Sequence, residues 1–69
     1  MKFKVGDHVL HVKTARHYVI TQEPSMWRRL EATDQPFYAY EKDGVTWYRS
    51  EVEVEDGRFA LITESQVAR

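Results

Sequence analysis

Apolar and polar positions along this chain alternate with the two-residue period of β-strands in several short stretches separated by turn residues. Phe3 to Val9 contains the turn pair Gly6-Asp7 and leads into a first strand through Val9, Leu10 and Val12. Arg16-His17-Tyr18-Val19-Ile20-Thr21 is a second strand, and Lys13-Thr14-Ala15 between the two suits a hairpin connection. Pro24 breaks this pattern, because it cannot donate to a ladder. Met26, Trp27 and Leu30 fit one helical turn behind Ser25 as N-cap, but a loop or strand fits residues 26–32 nearly as well. Thr33 to Pro36 reads as a turn.

The strongest local signal is a hairpin. Two aromatic-rich runs, 37–42 and 45–50, flank Asp43-Gly44, which suits a two-residue type I′ turn. That register sets Lys42 opposite Val45, Tyr40 opposite Trp47 and Tyr38 opposite Arg49, all on one face. Phe37, Ala39, Glu41, Thr46, Tyr48 and Ser50 share the other face. Both faces carry aromatic rings, so alternation leaves open which is buried. Arg49 favours exposure of its own row, since an unpaired charge is costly to bury. Beyond the hairpin, Glu51 to Glu55 alternates strictly and points Val52 and Val54 inward. The segment suits a short edge element or a single helical turn. Asp56-Gly57 then turns the chain into a last strand, Arg58 to Ile62.

About five short strands with regularly spaced turns predict an all-β domain, a small SH3-like barrel of antiparallel strands with at most one helical turn. The domain is expected to span residues 1–62, with 63–69 as a frayed tail. The motifs Phe3-x-Val5-Gly6-Asp7-x-Val9, Tyr18-Val19-Ile20, Tyr40-x-x-Asp43-Gly44-x-x-Trp47-x-Arg49 and Glu53-x-Glu55-Asp56-Gly57-Arg58-Phe59 resemble those of a family of small bacterial and phage proteins. This resemblance covers about residues 3–62. It implies an SH3-like fold and a bacterial or phage setting, and it implies no activity.

With 69 residues the core is small. The chain has no cysteine, which removes disulfides, thiolate zinc sites and cysteine nucleophiles. Its nine aromatic side chains are the available substitute for a staple. No stretch reaches the ~20 apolar residues of a membrane span, and residues 1–4 are not followed by the apolar run of a signal peptide. A cytoplasmic protein, monomeric or weakly self-associating, is the expectation. The net charge of −1 conceals an asymmetry: residues 1–30 carry +4 and residues 31–69 carry −5.

Metal binding, catalysis and cofactors are not expected. His8 and His11 are three apart in a strand and point to opposite faces, although His17 lies within reach of either across a hairpin. Glu51, Glu53 and Glu55 read as a solvated edge rather than as paired catalytic carboxylates. The leading functional reading is a non-enzymatic module that binds a protein or peptide partner, or itself. Its candidate site is Tyr38, Tyr40, Trp47 and Arg49, residue types enriched where binding energy concentrates. The alternative is a nucleic-acid-binding accessory protein that stacks bases and neutralises phosphates with Arg16, Trp27, Arg28 and Arg29.

Overall fold

The computed structural model describes residues 2–25, 30 and 34–62. They form five antiparallel strands: β1 (His8–His11), β2 (Arg16–Gln22), β3 (Phe37–Lys42), β4 (Val45–Ser50) and β5 (Phe59–Leu61). The sheet order is β4-β3-β2-β1-β5, with a helical turn, α1 (Glu51–Glu53), between the two edge strands in sequence. This is the all-β, SH3-like arrangement expected from the turn spacing. The expected tail at 63–69 and the ambiguous 26–29 and 31–33 lie outside the described residues.

The hairpin forms in the anticipated register, with Lys42↔Val45, Tyr40↔Trp47 and Tyr38↔Arg49 paired. Asp43 and Gly44 both take positive φ, 52° and 78°, as a type I′ turn demands. The register shifts between Ile20 and Gln22 where β2 meets β3, a bulge that sharpens the local twist.

After β4 the chain turns into a helix rather than extending along the edge. Ser50 is the N-cap: its Oγ accepts the Glu53 backbone N–H (3.3 Å) and donates to Glu53 Oε1 (3.0 Å). That geometry corrects the reading of Val52 and Val54 as an inward pair. A two-residue spacing shares a face in a strand but not in a helix. Val54 is therefore completely buried, while Val52 is 70% exposed. Gly57, at φ 108°, then reverses the chain into β5.

The core gathers Val9, Tyr18, Ile20, Tyr38, Tyr40 and Phe59 from one face of the sheet, with Phe3 and Val54 closing it from outside the strands. Edge-to-face contacts dominate: Tyr18 meets Tyr40 at 5.1 Å between ring centroids, Tyr40 meets Phe59 at 5.1 Å, and Phe3 meets Tyr38 at 5.9 Å. Such pairs contribute about 0.5–1.5 kcal/mol each beyond the area they bury. Aromatic packing thus stands in for the larger core that a chain of this length lacks.

Candidate functional site

The hairpin face that carries Tyr38, Tyr40, Trp47 and Arg49 is the core face, but it does not have one character along its length. Tyr38 is fully buried and Tyr40 is 4% exposed, whereas Trp47 is 37% exposed and Arg49 half-buried. Arg49 does not force this row into water. Its Nε donates to the Tyr40 hydroxyl (3.3 Å) and its Nη1 lies 3.5 Å from Glu53, so the charge rests at the rim of the core with partners. The Tyr40 hydroxyl is the main cause that raises the Arg49 pKa, and Glu53 reinforces it. The opposite face presents Tyr48, 59% exposed, edge-on to Phe37 at 5.6 Å.

Tyr38 belongs to a separate arrangement. Its hydroxyl accepts the backbone N–H groups of Phe3 (3.0 Å) and Lys2 (3.1 Å) and donates to Glu55 Oε2 (2.5 Å). Lys2 N–H also reaches Glu55 (2.8 Å). Burial, and then the hydrogen bond to Glu55, push the Tyr38 pKa up to about 12. Burial alone would raise the Glu55 pKa, but the bonds from Tyr38 and Lys2 outweigh it and hold the carboxyl below its ordinary value. This clamp fixes the N-terminal segment to the barrel. Tyr38 therefore has no ring face to offer a partner.

The other three predicted residues meet around a pocket. Tyr40, Trp47 and Arg49 line a cavity of about 130 Å³ together with His11, Thr14, Tyr18 and Phe59. Trp47 lies nearly parallel to Tyr40 (17°, centroids 6.2 Å) and edge-on to Tyr18 at 5.3 Å. His11 stands 5.0 Å from Phe59, and its Nδ1 pairs with Thr14 Oγ1 at 2.8 Å. His11 and Arg49 also border a wider cleft of about 760 Å³, lined by Val12, Lys13, Asp56, Gly57 and Arg58 as well. Glu53 is shared by Arg49 and Arg58, the latter at 2.9 Å, and Asp56 pairs with Arg58 at 3.1 Å. Lys13 has no ion pair among the described residues. Three fixed cations thus face two carboxylates, and an aromatic pocket opens beside a cleft with a small excess of positive charge.

Tyr18, Phe59, His11 and Arg58 were absent from the set predicted from sequence. Tyr18 and Phe59 look like ordinary strand residues there, because their role depends on the pairings Val9↔Tyr18 and His11↔Phe59 across three strands. Only Asp56-Gly57-Arg58-Phe59 gave a local hint. Of the alternative nucleic-acid set, Arg16 is exposed at the start of β2, while Trp27, Arg28 and Arg29 lie outside the described residues.

On the outer face, His8 Nδ1 and His17 Nε2 are 2.7 Å apart, so one ring donates to the other. His8 and His11 do point to opposite faces, as the strand period requires. Among the described residues no three His, Cys, Asp or Glu side chains converge as metal ligands. No described helix is long and apolar enough to cross a membrane.

No protein-family model, curated protein or solved structure matches the chain.

Proposed function

We propose that this protein is a non-enzymatic interaction module of a bacterial or phage cytoplasm, and that it binds an extended segment of a partner protein in the cleft beside Trp47. The observation that carries this reading is the half-exposed Trp47 and Arg49 at the mouth of a pocket floored by Tyr18, Tyr40 and Phe59. Small barrels bind peptides through aromatic grooves of this kind. Tryptophan, tyrosine and arginine also supply most hot-spot energy, because they bury large areas and retain polar handles. The excess positive charge from Lys13, Arg49 and Arg58 favours a partner that presents an apolar or aromatic side chain next to a carboxylate.

A random-peptide display selected on the wild-type protein tests this. Enriched peptides should combine an acidic residue with a neighbouring apolar one. They should shift the Trp47 indole N–H resonance and lose at least tenfold in affinity to Trp47→Ala or Arg49→Ala. Peptides that bind both variants as well as wild type would overturn the assignment of the site.

A further inference from the structure

The sheet leaves one long edge without a strand partner among the described residues. β4 pairs only with β3, while the other edge strand, β5, spans three residues. Hydrogen bonds in an antiparallel ladder alternate, and here their phase is fixed at both ends of β4. The two-residue loop makes Lys42 and Val45 a hydrogen-bonded pair, and Glu51 N–H donates to Pro36 O at 2.9 Å. Residues 45, 47 and 49 therefore direct their backbone polar groups at β3, and the Glu51 N–H continues the same phase just beyond it. Thr46, Tyr48 and Ser50 direct theirs outward.

Exposed edges are usually blunted by charge, proline or a bulge. Val45-Thr46-Trp47-Tyr48 has neither charge nor proline, and its register with β3 is continuous. Four of the seven large hydrophobic residues exposed among the described residues, Val45, Trp47, Tyr48 and Val52, lie on this edge or immediately after it.

We infer that β4 is a self-association edge, pairing antiparallel with β4 of a second copy about a two-fold axis at Trp47. In that register Thr46 faces Tyr48 of the second copy and Tyr48 faces its Thr46, so the outward backbone groups of these two central residues are satisfied. Trp47 faces Trp47, and Val45 faces Arg49. No like charges oppose one another, and β-branched residues meet aromatic or long side chains, which are favourable cross-strand pairs. The strand is thus complementary to itself in both hydrogen-bond phase and charge. This is the isologous contact that a two-fold dimer requires. It uses the backbone edge and does not depend on peptide binding in the cleft. The pairing spans only five residues of each strand, a short contact, so the dimer is weak and forms at high concentration.

Sedimentation equilibrium over a wide concentration range, with an isotope-filtered NOE measurement on a mixed labelled and unlabelled sample, tests the inference. The expected result is a reversible monomer–dimer equilibrium with an intermolecular Trp47 Hα–Trp47 Hα contact. Tyr48→Pro removes an outward N–H that β3 does not use and should weaken the dimer at least tenfold. Thr46→Pro tests a second outward N–H should the first variant not fold, and Arg58→Ala should leave the dimer intact. A strict monomer at millimolar concentration, or a dimer whose intermolecular contacts lie elsewhere, would overturn it.

Discussion

Tyr38 and Tyr40 sit two residues apart on the same face of the same strand, yet they serve opposite ends of the barrel. At one end, Tyr38 is sealed beneath Phe3, and its hydroxyl is saturated by two backbone N–H groups and Glu55. At the other, Tyr40 forms the floor of a pocket that Trp47 and Arg49 leave open. The sealed end has every polar group of the tyrosine paired inside the chain. The open end has aromatic surface in water and guanidinium groups sharing a single glutamate. One row of side chains thus divides into a part that holds the fold together and a part available for binding.

Removing the sealed end should have the largest effect. Tyr38→Ala is expected to cost about 3–5 kcal/mol, enough to unfold much of so small a domain. Tyr38→Phe keeps the ring but strands the Phe3 N–H, and should cost about 1–3 kcal/mol in urea unfolding. At the open end Trp47 is only partly buried, so Trp47→Ala should cost about 1–2 kcal/mol and leave the domain folded. A loss of 3–5 kcal/mol there would mean that Trp47 is as much a part of the core as Tyr38.

The clamp also predicts a pH dependence. Tyr38 has a raised pKa, so its contribution to stability is complete below the ordinary phenol value of 10.0 and is lost as pH rises from there towards about 12. Glu55 has a lowered pKa, so its contribution is complete above the ordinary value of 4.5 and is lost as pH falls through the lower folded value. Urea midpoints measured across pH should fall in both directions, and Tyr38→Phe should flatten both limbs. The smallest effect lies in the turn that borders the cleft at the open end. Gly57→Ala meets no atom within 4 Å but forces φ 108° on a side chain, and should lower stability by about 1 kcal/mol.

Much of the fold was legible because its signals are local. Asp43-Gly44 dictates a type I′ turn, and with it the whole β3–β4 register. The burial of that hairpin was not legible in the same way. Arg49 argues for an exposed row only when its partners are unknown, and those partners, Tyr40 and Glu53, depend on where the turn after β4 carries the chain. Ser50-x-x-Glu53 does announce that turn as a helix start, a signal stronger than the alternation of valine and glutamate beside it. The site is legible in part for the same reason. Tyr40, Trp47 and Arg49 share a hairpin, while Tyr18, His11 and Phe59 reach them only through the pairing of β1 with β2 and β5.

The most direct test of the division between the two ends is chemical-shift mapping with a peptide selected on the wild-type protein. Binding should move the resonances of His11, Tyr18, Tyr40, Trp47, Arg49 and Phe59 and leave those of Phe3, Tyr38 and Glu55 in place. Shifts centred on Phe3, Tyr38 and Glu55, with Trp47 unmoved, would contradict the account.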